Sequence, residues 1–196
     1  MNQYVSTKLP KSSLNRDKSR FIGVYCAGKI ARYDWRHNME GLDRGRLRAL
    51  EEPEPVATDI LYTGPFFTTC DHACTHNNGD HGLASVNPAW PESGEQLGCI
   101  TEPTPTHAAV VGRSLRGISL ADVVVVYAQS DFDTAHGTHA ELGAARAMDK
   151  TVIAFVDRSV GERVRRDTWF PLALANWTIY GKPSFETVRK IWYGVE

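Results

Sequence analysis

Glu141 stands three residues after Thr138, in a segment (Thr138 to Met148) rich in residues that favour helix, directly after the polar run DFDTAHGTHAE. A carboxylate in the first turn of a helix feels the positive end of the helix dipole, which keeps it ionised. An ionised carboxylate on a rigid support is what attack on an anomeric carbon requires. The same spacing describes a capping box, with the Thr138 hydroxyl accepting from the helix amides and Glu141 reaching back to the cap, and the two readings are compatible. Asp131 and Asp133 are ordinary turn formers. Beside a ligand they would bind ribose hydroxyls or serve as the general acid. Gly137 is either a turn residue or an opening that lets a sugar or phosphate lie against the amides at the helix start.

A second group lies upstream. Cys70, His72, Cys74, His76 and His81 fall within twelve positions. These are zinc-ligand types, but Cys70 and Cys74 are four apart, the histidines interleave and no second well-spaced pair follows. Two other readings stand beside a metal site. One is a polar lid in which His72, His76 or His81 contacts a phosphate while Phe66 or Trp90 covers a base. The other is a structural loop whose histidines bond to backbone. The expectation is no resident cofactor, with zinc on Cys70, Cys74, His76 and His81 as the alternative.

The elements that must position these residues are legible from the apolar pattern. Asp122 to Ala128 is continuous and β-branched, so it is expected as a central parallel strand. Thr151 to Val156 is a second such run. With the intervening helix they form a βαβ unit, whose loop lies where open α/β sheets bind ligands, outside the carboxyl ends of the strands. Phe21 to Ala27 is expected as the first strand, ended by Gly28, which would let a ligand approach the backbone before the loop KIARYDWR. Leu42, Leu47 and Leu50 suggest a helix stopped by Pro53 and Pro55, and Asp59 to Phe67 a second strand ended near Gly64 and Pro65. Thr106 is placed to cap a helix through Val110 and Leu115 toward Ile118. Trp177 to Tyr180 is expected as the last strand, and Pro183 to Tyr193 as a closing helix with Phe185, Val188 and Trp192 on one face. The basic run Arg158, Arg163, Arg165 and Arg166 is interrupted by acids and reads as a solvated face.

The fold class is therefore α/β: three layers, with a parallel sheet of roughly five strands between helices, Rossmann or flavodoxin-like. Residues 1–20 are expected as a flexible arm, and residues 21–196 as one domain carrying a long Cys/His-rich loop at 68–98. With 196 residues and a formal net charge of −1, the chain has no whole-molecule attraction for nucleic acid or anionic membrane. No run approaches the roughly 18 apolar residues of a membrane span. A cytoplasmic location is expected, with Cys26, Cys70, Cys74 and Cys99 reduced.

The run ADVVVVYAQSDFDTAHGTHAELGAARAMDKTVIAFV resembles the signature of the nucleoside 2-deoxyribosyltransferase-like superfamily, in which a strand, aspartates and a GT pair precede ELG or EIG on a helix followed by GKPV. VYCAGKI resembles that superfamily's opening strand, and DWR, Asp34 to Arg36, a tripeptide found there. The likeness is strongest from Leu120 to Val156. It implies a five-stranded parallel sheet and cleavage of the N-glycosidic bond of a nucleoside or nucleotide, the sugar passing to another base or to water. It further implies that Tyr25, Gly28 and Asp34 line the substrate pocket, that Gly137 and Thr138 shape the sugar or phosphate site, and that Glu141 attacks the anomeric carbon; Arg36 and His72 are read as further substrate-binding candidates. Related enzymes often oligomerise, so a homo-oligomer is expected, and Trp169, Phe170, Trp177 and Trp192 are read as core or interface. The chain departs from the pattern at Asp149-Lys150-Thr151, where GKP is usual, and in the Cys/His-rich insertion. Two rival functions remain: a TIR-like enzyme cleaving NAD or a nucleotide signal, and a non-catalytic nucleotide-binding module.

Overall fold

A strand with six consecutive buried residues needs a sheet covered on both faces, and two of the described strands are of this kind. In the computed structural model, which describes residues 4–6, 20–28, 35–43, 46–47, 50, 52–66 and 107–194, the strands are β1 (Tyr4–Ser6), β2 (Ile22–Ala27), β3 (Glu54–Ala57), β4 (Ile60–Gly64), β5 (Val123–Ala128), β6 (Thr151–Val156) and β7 (Trp177–Tyr180). Every residue of β2 and of β5 is buried. The helices are α1 (His107–Leu120), α2 (His136–Ala147), α3 (Glu162–Asp167), α4 (Trp169–Ala173) and α5 (Phe185–Tyr193), with 3-10 turns at Trp35–Asn38 and Phe132–Thr134.

The strands form one seven-stranded sheet in the order β1-β7-β6-β5-β2-β4-β3. Its middle, β4, β2, β5, β6 and β7, is parallel throughout. Taken in chain order these five strands run 2-1-3-4-5, the flavodoxin-like winding, whose switch point lies between the first and third. Here that is between β2 and β5. The expected α/β class with a five-stranded parallel core is thus present, extended by two antiparallel edges: β1 on β7 and β3 on β4. The sequence reading has neither edge strand. Tyr4–Ser6 lies inside the expected arm, and β3 carries Pro55, a residue tolerated where an edge strand needs no inward amide.

Alternation along the strands sends side chains to two cores. Val24, Cys26, Val125, Tyr127, Ile153 and Phe155 pack with Leu42, Leu47, Leu50, Phe185 and Val188 on one face. Tyr25, Ala27, Val124, Val126, Val152 and Ala154 pack with Ile118, Phe132, Leu142 and Ala145 on the other. Phe185 and Val188 are the buried residues of α5, while Trp192 is only partly buried against the same core. Ser184 caps α5, accepting from the Thr187 amide, and Gly194 closes it in the left-handed conformation. Thr106, the expected cap of α1, lies outside the described residues.

One turn locks the edge hairpin to the core. Gly41 has φ +69, and a Cβ there would stand 1.9 Å from the Val56 carbonyl oxygen. Gly41→Ala meets both the backbone penalty and a clash with backbone that cannot swing aside, so it is expected to lower stability by about 2–3 kcal/mol. Urea unfolding of the variant beside the parent checks this.

Candidate active site

At the switch point the carboxyl end of β2 faces α2 across the sheet edge. Tyr25 is fully buried, and its hydroxyl donates to Glu141 Oε1 at 2.6 Å. Glu141 is partly buried. Burial pushes its carboxyl pKa up, opposed by the Tyr25 hydroxyl, the Arg36 charge, the Gly28 amide and the Ser114 hydroxyl, each of which favours the ionised form. Tyr25 in turn is raised well above the ordinary phenol range, first by burial and then by the neighbouring Glu141 charge. A carboxylate that is desolvated yet surrounded by donors is the arrangement that tunes a group for chemistry.

The helix start differs from expectation. α2 begins at His136, its N-cap is Ala135, and no side chain caps it. Thr138 is the third helical residue and is buried, and Glu141 is the sixth. The capping-box reading is therefore corrected: the helix follows the 3-10 turn at Phe132–Thr134 almost directly, so it starts two residues before Thr138, and Glu141 reaches across to Tyr25.

Arg36 is corrected as well. The sequence reading offers it as a substrate-binding candidate, but it is fully buried. Its Nε and Nη2 donate to the Cys26 carbonyl at 2.8 and 2.6 Å, and Nη2 also donates to the Gly28 carbonyl at 2.8 Å. It also lies 4.8 Å over the Trp35 ring. It holds the end of β2 in place and sets a positive charge behind Glu141. Gly28 has φ +155, and a Cβ there would stand 3.0 Å from Trp35 Nε1 and 3.2 Å from Arg36 Nη2. Glycine is what lets this turn close on both side chains.

Of the other expected site residues, Gly137 is exposed, with nothing among the described residues within 4 Å of a Cβ built on it. Asp133 is ion-paired to Arg163 at 2.9 Å, and Arg163 remains exposed with Arg158, Arg165 and Arg166 on the solvated basic face. Asp131 is exposed, and its carbonyl accepts from the Thr134 hydroxyl at 2.9 Å. His139 packs edge-on against Phe132, ring centroids 4.8 Å apart. Burial pushes its pKa down, favouring the neutral ring. Asp34, His72, Cys70, Cys74, His76 and His81 lie outside the described residues. Among the described residues no three Cys, His, Asp or Glu side chains cluster as a metal site would require.

The sequence reading missed two features. Ser114, on α1, is partly buried beside Tyr25 and Glu141, where its hydroxyl favours the ionised form of each. A serine inside a helix carries no signal of its own; its spacing of three from Gly117 was the available clue. On the opposite face of the same sheet edge, the Tyr127 hydroxyl donates to Asp157, whose other oxygen accepts from the Ser159 amide at 2.8 Å and the Ser159 hydroxyl at 2.6 Å. Those bonds, Ser159 first, hold the Asp157 carboxyl below its usual range. Trp35 meets Tyr127 edge-on at 5.9 Å between centroids. This pair ties the carboxyl ends of β5 and β6 together.

No helix among the described residues is long and apolar enough to cross a membrane. Comparison of the chain with protein-family models, with curated proteins and with solved structures returned no match.

Proposed function

We propose that the protein cleaves the N-glycosidic bond of a nucleoside or nucleotide, with Glu141 as nucleophile and the sugar passed to water or to a second base. The observation that carries this reading is the Tyr25 hydroxyl bond to Glu141 at 2.6 Å, made at the switch point where doubly wound sheets take their ligands. A carboxylate offers about four acceptor positions. The Tyr25 hydroxyl takes one of them, leaving lone pairs for attack. In the first step a Glu141 oxygen bonds to C1′ as the C1′–N bond breaks through an oxocarbenium-like transition state, and the departing base takes a proton from Asp131 or Asp133. In the second, water or an acceptor base attacks C1′ and gives its proton to that aspartate, the ester bond to Glu141 breaks, and the carboxylate is restored. This is the two-step logic of a retaining glycosidase. No electron changes hands, so the cycle asks for no redox partner.

The supporting donors make a direct expectation. Tyr25→Phe keeps the ring and removes the hydroxyl, so Glu141 loses a charge-assisted hydrogen bond. Base release is expected to fall by about 10- to 100-fold, and the acid limb of kcat/KM to move to higher pH because the ionised form has lost a donor. A pH–rate profile of the variant checks both.

Self-association belongs to the same proposal. Trp169 and Phe170 are 66% and 60% exposed, and they are the proposed contact between copies. Trp177 and Trp192 instead pack, partly buried, against the core.

Incubation with a panel of nucleosides, nucleoside monophosphates and NAD, with and without an acceptor base, followed by chromatography, tests the function. Released or exchanged base supports it. Nicotinamide release from NAD alone would favour a TIR-like activity, and nucleotide binding with no release would favour a binding module.

A further inference from the structure

The Tyr25 ring is gripped along one edge by backbone. Gly64 ends β4 with φ +130, and a Cβ there would stand 3.0 Å from ring carbon Cε2 and 3.2 Å from Cδ2. Gly117, in α1, would set its Cβ 2.9 and 3.0 Å from the same two carbons and 2.4 Å from the Thr63 carbonyl oxygen. Both glycines are buried, and neither position has room for a methyl group. Two elements thus close on the Cδ2–Cε2 edge, while the hydroxyl at the tip of the ring donates to Glu141 Oε1 at 2.6 Å.

The register of the sheet explains how β4 reaches the ring. Val24 pairs with Tyr62 but Tyr25 pairs with Gly64, so Thr63 is an extra residue in β4. This is a β-bulge, which bends a strand and re-aims its residues. It brings a glycine, rather than a residue with a side chain, level with Tyr25. The arrangement has a local cost: Thr63 Oγ1 is buried with no hydrogen-bond partner among the described residues. Such costs are found where a fold gives up stability for geometry.

We propose that Gly64 and Gly117 are positioning residues of this site, clamping the Tyr25 ring from β4 and α1 so that its hydroxyl stays on Glu141; as a role in catalysis this rests on the reading of Glu141 as nucleophile. A swing of the ring about Cα–Cβ would carry the hydroxyl off the carboxylate. The two backbones stop that swing on their side of the ring, and unlike side chains they cannot turn out of the way. The donor is therefore already in place when a substrate arrives, with no reorganisation left for the reaction to supply.

The clamp is tested in the parent protein by NMR with ring-labelled tyrosine. A flip about Cβ–Cγ must force the ring past both backbones, so separate Cε1 and Cε2 signals are expected for Tyr25, and one averaged signal would overturn the proposal. The role is tested by a double-mutant cycle. Gly117→Ala must displace the ring or lift the helix, and it is expected to lower kcat about tenfold with KM within about twofold. The titration of the Glu141 carboxyl carbon, on which Tyr25 and Arg36 are the charged or titratable groups that act, should move to higher pH as its donor is drawn away. In a Tyr25→Phe background the same substitution should change kcat by less than about twofold and leave the titration where Tyr25→Phe puts it, because the hydroxyl through which it acts is gone. Effects that multiply would mean that the glycine supports only the fold, and would overturn the proposal. Gly64→Ala runs the same cycle from β4, so the test stands if Gly117→Ala does not fold. The two readings fail separately: a parent that releases no base removes the nucleophile, while the ring signals and the carboxyl titration still decide whether the glycines hold Tyr25 on Glu141.

Discussion

Glu141→Gln is expected to reduce base release by about 10³-fold or more while nucleoside binding persists, because the amide keeps the shape of the side chain and cannot form the sugar ester. The same substitution is expected to change stability with a definite dependence on pH. Burial holds the Glu141 pKa in the folded protein above its ordinary value. A raised carboxyl pKa means that the neutral form is favoured in the folded state. Its contribution is fully present below the unfolded value and is lost as pH rises through the folded one. The parent therefore carries a penalty above the folded pKa that a neutral glutamine does not. Glu141→Gln should be more resistant to unfolding than the parent at alkaline pH, with the difference shrinking toward zero as pH falls below the ordinary carboxylate range. Thermal unfolding of both proteins across that span checks the sign. A stability gain coupled to lost turnover is the expected mark of a strained functional group.

Arg36→Met is expected to have the largest effect on stability. The fully buried guanidinium donates to the Cys26 and Gly28 carbonyls. The variant leaves those carbonyls without their donor and Glu141 without the charge behind it. Breaking a buried ionic group in this way costs about 3–5 kcal/mol. Arg36→Lys restores the charge but not the planar fork that reaches both carbonyls at once, and it should recover only part of the loss. Urea unfolding near neutral pH measures the stability term. Base release per folded molecule should also fall in both variants, because the turn carrying the Gly28 amide is no longer held.

How much of this was legible in the sequence follows from what each residue type encodes. The central strands were, because a β-branched run such as Val123–Val126 with no polar break has little choice but the middle of a parallel sheet. The five parallel strands and α5 followed from the same apolar pattern. The edge strands were not: β1 is too short and polar to show a period, and the prolines around β3 read as helix stops although Pro55 sits comfortably at an edge. Glu141 was marked as a site candidate by its place near a helix start and Tyr25 through the resemblance, but their contact joins residues 116 apart and no local pattern encodes it. Thr138 misled for a local reason. A Thr with Glu three residues on looks like a cap, whereas the helix was already started by the turn at Phe132–Thr134. Arg36 misled because sequence shows that a cation is present, not whether it faces a ligand or the chain's own carbonyls. Cys70, His72, Cys74, His76 and His81 lie outside the described residues.

The central claim is that Glu141 becomes covalently bonded to the sugar. The most direct measurement is mass spectrometry of the peptide containing Glu141 after the protein is mixed with a nucleoside that it turns over and quenched in acid within one turnover. The account requires a mass increase of one sugar residue on Glu141, absent from Glu141→Gln. Base release by the parent with no adduct on that peptide, together with release by Glu141→Gln at the parent's rate, would contradict it.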